Sequence, residues 1–386
     1  MNLSRVFPLL SLAALAAGCG GATEGASPSP AESVTLASAT RPSCVSSTPT
    51  LFVPGAPASI ATSVSTSTAP NVTWNAADAF VQDVVTDGAT LYWTLCGKSD
   101  GTIISAPIAS GSPKLLIDER GEGSPSHLSV QGARLFWLET SATNPSLARA
   151  MTSNLDGSSF HALTSFAPIA DVAFDASAAY VAEGTLASGV GASLARIDAT
   201  SGAATTLVEG TPVANLAVDD ASVYFLNVSV VARVPKSGGT VTTIAPMPSL
   251  ALGGGTSPAG AVASDGSFVY WAIAGDAPQV LSMPVGGGGA LELGATGQAI
   301  ATFLQPHGAW LYFTSAGDPE NTSAIYRLAT NGGSPSVVVP LDTASTIKFA
   351  NYGGTTSSGR IALDTKNVYW GAFDGTLTPS IFCIAQ

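Results

Sequence analysis

Positive charge is scarce in this chain of 386 residues, which has 14 Lys and Arg against 26 Asp and Glu. Phosphate contacts on nucleic acids need clustered basic side chains, so a formal net charge of −12 excludes nucleic acid as a partner. The same imbalance argues against electrostatic adhesion to anionic lipid.

Histidine, cysteine and catalytic motifs are scarce as well. The chain has only three His and four Cys, and no Cys/His spacing suggests a zinc site. The sequence contains no P-loop, no H-E-x-x-H, no G-x-S-x-G, and no G-x-G-x-x-G followed by a helix signal. The sequence therefore predicts no metal, no cofactor and no catalytic residue.

The N-terminus has the pattern of a secretion signal. Arg5 supplies the positive charge, and Val6–Ala17 is too short to span a bilayer, which needs about 20 apolar residues. The following junction, Leu15-Ala16-Ala17-Gly18-Cys19, resembles the lipobox of bacterial lipoproteins. We therefore expect a signal peptide at 1–18 and a lipid anchor on Cys19, with the protein in the cell envelope (on the outer membrane) or outside the cell. Ordinary secretion with a free Cys19 is the alternative.

Residues 19–50 are rich in Ser, Thr, Pro and Ala and contain almost no large apolar side chains, so we expect a flexible tether. The predicted globular domain is 51–386, with repeats from about residue 82. With Cys19 acylated, one disulfide is expected among Cys44, Cys96 and Cys383. A Cys44–Cys383 bond would tie the two ends of the domain together, and Cys96 is the alternative partner for either.

A repeat of about 44 residues organises this domain. In each copy an apolar strand is followed by a turn and then by a second apolar strand that ends in a pair of large apolar residues, as in Ala217–Phe225. The first aromatic of the copies stands at 92, 136, 180, 224, 270, 312 and 369, with steps of 44, 44, 44, 46, 42 and 57. Each copy has up to four strand signals joined by Gly-rich turns, which is typical of a propeller blade. We therefore predict an all-β, seven-bladed β-propeller of four-stranded antiparallel blades.

The last copy is incomplete, because the chain ends after its third strand signal. A propeller must close its ring or leave an exposed edge. We expect an N-terminal strand, from the region Ser59–Trp74, to complete the last blade.

Tyr92-Trp93-Thr94, the Tyr-Trp pairs at 270 and 369, and the Asp five residues before each of these Tyr resemble YWTD-like and TolB-like propeller repeats. They are also similar to secreted propeller lipoproteins of the myxobacterial type. The resemblance covers 82–386 and implies the architecture, not an activity, because propellers host many unrelated functions. The YWTD pattern would have a final Asp and six blades, both of which differ here.

An acidic residue recurs at one turn position of the repeat. Five copies have Asp there, whereas Gln131 and His307 replace it in two others; the five are Asp87, Asp175, Asp219, Asp265 and Asp364. A ring of acids could suggest a metal site, but an Asp before a short turn accepts backbone N–H bonds and fixes the turn. We therefore predict a structural role for all five.

Ligands usually enter a propeller on its hub side, where the loop before the second copy is expected. The candidate binding residues there are Glu119, Arg120, Glu122 and His127, with a solvated polar loop as the alternative. The oxygen-rich segment Gly317–Asn321 could hold calcium, but it lacks EF-hand spacing, so a solvated loop is the default there too.

These features favour a monomeric, non-catalytic binding or scaffold module with a protein or glycan partner. The alternative is a propeller enzyme, a hydrolase, lyase or lactonase, with a hub-side active site. A third possibility is an architectural part of an outer-membrane assembly machine.

Overall fold

The structure is a computed structural model. It describes residue 44 and residues 50–54, 80–96, 101–119, 122–185, 190–227, 229–247, 260–273, 278–295, 300–316, 324–339, 360–373 and 379–386.

The described residues form β-strands and no helix. In chain order the strands are β1 Thr50–Pro54, β2 Phe80–Thr86, β3 Thr90–Cys96, β4 Gly101–Pro107, β5 Lys114–Asp118, β6 Gly123–Gln131, β7 Arg134–Ser141, β8 Ala148–Asn154, β9 His161–Ala162, β10 Ile169–Asp175, β11 Ala178–Thr185, β12 Val190–Asp198, β13 Ala204–Val218 and β14 Ser222–Leu226. The remaining strands are β15 Val230–Pro235, β16 Thr242–Pro246, β17 Val262–Ser264, β18 Phe268–Ile273, β19 Gln279–Pro284, β20 Leu291–Ala295, β21 Ile300–His307, β22 Trp310–Ala316, β23 Ala324–Ala329, β24 Ser336–Val339, β25 Ala362–Leu363, β26 Asn367–Phe373 and β27 Pro379–Ala385. Because no described segment is helical, none is a helix that could cross a membrane.

The strands pair as antiparallel meanders. Five sheets have four strands: β2 to β5, β6 to β9, β17 to β20, β21 to β24, and the order β1-β27-β26-β25. A further sheet runs from β10 to β16. Its long strand β13 pairs with β12 through its first part and with β14 through its last part, so two consecutive four-stranded units share it.

From β2 to β21, the first strand of a unit lies beside the first strand of the next unit. Strand β2 contacts β6, β6 contacts β10, and the series continues through β13 and β17 to β21, while β2 also contacts β25. This is the arrangement of strands around the central channel of a propeller. We call these segments the inner strands: β2, β6, β10, the C-terminal part of β13, β17, β21 and β25.

The paired large residues of the repeat hold neighbouring units together. The first of each pair packs with the second of the pair in the next unit, because successive side chains of a strand point to opposite faces of the sheet. The pairs that share a buried cluster are Tyr92 with Trp137, Phe136 with Val181, Tyr180 with Phe225, Tyr224 with Trp271, Tyr270 with Phe313, Tyr312 with Trp370, and Tyr369 with Trp93. The last cluster packs the C-terminal sheet against the first repeat.

The N-terminal segment that pairs with the last strand is β1, which is antiparallel to β27 with Thr50 opposite Cys383. The prediction that this strand comes from Ser59–Trp74 was therefore wrong; that segment lies outside the described residues. The disulfide Cys44–Cys383 explains the difference, because it fixes the chain beside β27 six residues before β1 begins. Cys96, the alternative partner, bonds neither of these cysteines.

Candidate functional site

The recurring Asp residues each close the turn between the first two strands of a unit. One carboxylate oxygen accepts two backbone N–H bonds, and the other accepts the hydroxyl of the Tyr five residues later. For Asp219 the donors are the N–H groups of Ala221 and Ser222, both at 2.8 Å, and the hydroxyl of Tyr224 at 2.6 Å. The same three bonds are made by Asp87, Asp175, Asp265 and Asp364.

The electrostatics of these turns follow from that pairing. Burial, together with the carboxylate of Asp219, raises the pKa of Tyr224 to about 12. Burial also disfavours the charge of Asp175, but its bonds from Lys236 and Ser177 prevail and lower the pKa of that carboxyl to about 2. The oxygens of these acids are committed to the turns, which leaves them poorly suited to bind a ligand.

The two copies without Asp lack the Asp–Tyr bond for different reasons. The copy with Gln131 has Phe136 in the Tyr position and so has no hydroxyl to bond. In the copy with His307, Tyr312 donates instead to Gln386 Oε1 at 3.0 Å.

A second set of residues lies on or beside the inner strands, nine residues before the first aromatic of each copy. Unlike the turn residues, these differ from copy to copy. We call them the hub residues: Asp83, His127, Asp171, Asn215, Ala261, Phe303 and Arg360.

Two of the hub residues are acids that connect neighbouring inner strands. Asp83 accepts the N–H of Leu128 at 3.2 Å, and Asp171 accepts the N–H of Leu216 at 2.7 Å, each bond spanning 45 residues. The residues before these donors, His127 and Asn215, have φ of 54° and 52°. His and Asn tolerate this left-handed conformation better than most residues, and it accompanies a register shift in each strand.

His127 lies between a serine and an aspartate, the side-chain types of a serine-hydrolase triad, but its ring nitrogens face them in the reverse order. Its Nδ1 lies 3.2 Å from Ser126 Oγ, and its Nε2 lies 3.4 Å from Asp171 Oδ1. Accessibility does not match that role, because Ser126 is 1% exposed while the His127 side chain is 26% exposed. Ser126 also donates to the carbonyl of Leu138 at 3.4 Å. The arrangement holds the His127 ring between Ser126 and Asp171, and the Ser126 hydroxyl is buried.

Arg360 is the permanent cation among the hub residues. Its Nε lies 3.6 Å from Asp83 Oδ1, and its guanidinium stands 5.6 Å from the centroid of the Phe303 ring. Neither terminal nitrogen of Arg360 has a hydrogen-bond partner among the described residues. The Arg360 side chain is 28% exposed, whereas that of Asp83 is 4% exposed.

The predicted binding residues that the structure describes have different surroundings. Glu119 is buried between the first two sheets beside Glu139, whose Oε1 accepts two bonds from Arg149 at 2.7 and 3.1 Å. Burial and the neighbouring Glu139 carboxylate raise the pKa of Glu119 to about 9. Glu122 is exposed.

Arg120 lies outside the described residues, and so does the whole candidate calcium segment 317–321. His127 pairs with Asp171 and Ser126, which are not partners of Glu119. No group of three or more His, Cys, Asp or Glu within the described part of the chain could hold a metal ion.

Three charged hub residues were missed by the sequence analysis: Asp83, Asp171 and Arg360. Their shared offset of nine residues from the aromatic could have identified them, and it also contains His127. The offset does not stand out in the sequence because the residue there varies among the copies, with only Asp occurring twice.

Comparison with solved structures shows the fold. The β-propeller domain of the Trilobed protease from Pyrococcus furiosus matches with a TM-score of 0.54 and 9% identity, over 79% of this chain and 95% of that one. Oligogalacturonate lyase from Vibrio parahaemolyticus matches with a TM-score of 0.57 and 12% identity, over 89% and 98%. A prolyl endopeptidase matches with a TM-score of 0.51 and 11% identity, over 81% and 50%.

At these identities the likeness shows the fold alone. The prediction of an all-β propeller fold with four-stranded antiparallel sheets is confirmed. No protein-family model matches the sequence, and no curated protein does either.

Proposed function

We propose that this chain is a lipid-anchored envelope protein whose propeller has seven blades and serves as a non-catalytic binding module for a protein or glycan partner. The lipid anchor is Cys19, and residues between it and Cys44 act as the tether. The partner binds on the hub side of the ring.

The seven-blade count is supported by three features. Strand β13 divides the seven-stranded sheet into two units, which adds to the five four-stranded sheets. The packing of Tyr369 with Trp93 supports contact between the last and first blades. The pairing of β1 with β27 supports closure by the N-terminal strand.

The observation that carries the non-catalytic reading is the mutual pairing of the charged hub residues. Asp83 is paired with Arg360 and Leu128, and Asp171 with His127 and Leu216. A general base needs a free lone pair directed at substrate, and a nucleophile must be accessible to it. These acids are committed to the scaffold instead, and the adjacent hydroxyl of Ser126 is buried.

The test measures binding and turnover on the same full mature chain. Binding is screened on a glycan array and against immobilised outer-membrane proteins, and turnover on ester, peptide, lactone and oligogalacturonate substrates. We expect saturable binding that His127→Ala weakens, with no turnover. His161→Ala is the matched control, because His161 is exposed on β9 and its Nδ1 lies 2.8 Å from Ser159 O in the same turn. Turnover that His127→Ala abolishes would overturn the proposal.

A hub-side hydrolase is the second candidate, favoured by the Ser126–His127–Asp171 contacts. It requires Ser126 to become accessible when substrate binds. Covalent labelling of Ser126 by a fluorophosphonate probe, lost in Ser126→Ala, would establish it; an unlabelled wild-type protein excludes it.

A further inference from the structure

We propose that Arg360 forms, at the level of the hub residues, a binding site for a small ligand that carries a single carboxylate group. This rests on the proposed function and names the chemical class of the ligand that the hub accepts.

First, the Arg360 guanidinium has nitrogens left to bind a ligand. Only its Nε faces an acid, Asp83, while its terminal nitrogens have no partner among the described residues. Two parallel N–H groups of a guanidinium match the two oxygens of a carboxylate. The contrast is Arg149, whose Nε and Nη2 both bind one oxygen of Glu139.

The surroundings of Arg360 hold its free edge in place before a ligand arrives. Asp83 fixes its Nε, and the half-buried ring of Phe303 lies beside the guanidinium plane. A side chain that is already ordered loses less entropy when it binds a ligand, so the two parallel N–H groups of Arg360, its fork, are pre-organised.

The nearby charges select the ligand. The amide after His127 bonds to the Asp83 carboxylate that pairs with Arg360. Two acids, Asp83 and Asp171, lie beside Arg360 and His127. They penalise a doubly charged phosphate more than a single carboxylate. The net charge of −12 opposes anions only at long range, where salt screens it beyond about 10 Å at 0.1 M.

The hub residues are asymmetric in a way that suits such a ligand. Charged side chains occupy one arc, from Arg360 through Asp83 and His127 to Asp171. On the other arc Ala261 is small and buried, and Phe303 is aromatic. A purely structural ring would repeat its residues, as the turn Asp residues do. A carboxylate at Arg360 therefore leaves the rest of the ligand facing apolar surface.

The experiment is titration calorimetry of the full mature chain in detergent at about 0.1 M salt, where the long-range charge is screened. The probes are acetate as a bare carboxylate, D-gluconate as a hydroxy acid, L-alanine as an amino acid, D-glucose as a neutral molecule and inorganic phosphate. We expect at least one carboxylate to bind saturably, more tightly than phosphate, and D-glucose not to bind. Which carboxylate binds best identifies the source of the ligand.

The variants locate that binding. Arg360→Gln should weaken it about tenfold or more, the loss expected for a hydrogen-bonded charged group. Arg360→Lys keeps the charge beside Asp83 but removes the fork, and should weaken it while leaving the melting temperature unchanged. Arg327→Gln is the control, because Arg327 also stacks on an aromatic ring, 4.6 Å from the Trp310 centroid, but on β23 away from the inner strands.

The proposal is overturned if no carboxylate binds, if phosphate binds more tightly than every carboxylate, or if Arg360→Lys binds as well as the wild type. Turnover of a substrate with carboxylate binding intact would refute the non-catalytic function and leave this site standing. Partner binding without any carboxylate binding would refute this site and leave the non-catalytic function standing.

Discussion

At the scale of single residues, the buried carboxyl of Glu119 should make the stability of the protein depend on pH. Its pKa in the folded protein is raised to about 9 by burial and by Glu139. A group with a raised folded pKa stabilises the protein fully below its unfolded pKa, and that contribution is lost as pH rises through the folded value. Between about pH 4.5 and pH 9 the wild-type protein should therefore lose stability progressively.

Glu119→Gln should remove this dependence, because the amide is neutral at every pH and can donate to Glu139 as the protonated acid does. We expect the variant to melt at a higher temperature than the wild type, by an amount that grows from pH 5 to pH 9. Scanning calorimetry at pH 5, 7 and 9 measures it. Glu122→Gln, at an exposed position in the same turn, should show no such trend. Parallel curves for Glu119→Gln and the wild type would contradict the prediction.

The Tyr hydroxyls that bond the turn acids give a second prediction. Tyr224→Phe removes a bond to the ionised Asp219 and should cost about 1.5–3 kcal/mol in free energy of unfolding. Tyr312→Phe removes a bond to the neutral Gln386 and should cost about 0.5–1.5 kcal/mol. Chemical denaturation of both variants measures the difference, and an equal or reversed cost would show that the charge of the acceptor is not the cause.

The two sets of residues show what a sequence can reveal at this scale. The turn Asp stands out because the same side chain makes the same bonds in five copies. The hub residues share a position but not a chemistry, so repetition does not mark them. The partner of Glu119 is harder still to predict from the sequence, because Glu139 lies in another sheet and only packing brings the two residues together.

At the scale of strands, β26 packs against the first sheet through a position where only glycine fits. A Cβ on Gly371 would lie 2.3 Å from Val81 Cγ1 and 2.4 Å from its Cβ. Gly371→Ala should therefore destabilise the protein by about 1–3 kcal/mol, the usual cost of overpacking. Gly286→Ala is the control, since nothing lies within 4 Å of its Cβ position, and it should stay within about 0.5 kcal/mol of the wild type. Equal stability of the two variants would mean that the first and last sheets do not pack as described.

Strand identity and order were predictable because the large apolar pair recurs in every copy and the Asp turn and the Gly-rich turn recur in most. The closing strand was misplaced because a single edge strand has no repeat to mark it. Segment 59–74 and Thr50–Pro54 both contain apolar residues that suit a strand. The disulfide to Cys383 decides between them, and that bond was only one of the pairings that the sequence allowed.

At the scale of the whole molecule, the proposed lipid anchor on Cys19 predicts that the protein resides at a membrane. Cys19→Ala should release the protein from membranes or stop its processing, because the proposed acyl chains would have no residue to attach to. Fractionation with mass spectrometry of the mature N-terminus measures both outcomes. A normally processed variant that stays in the membrane fraction would contradict lipid anchoring.

Closure of the ring gives the last prediction. Strand β1 covers the edge of β27, and Cys44–Cys383 joins residues 339 positions apart. Removing a native disulfide typically costs about 2–5 kcal/mol, so Cys44→Ser alone should lower the melting temperature under oxidising conditions and have no effect under reducing ones. A truncation that begins at Asn75 also removes β1 and exposes the edge of β27, so it should cost more than Cys44→Ser. Deletion of residues 20–40 removes neither and should melt like the wild type. If the truncation also melts like the wild type, β1 does not contribute to closure and the seven-bladed ring is not held at this seam.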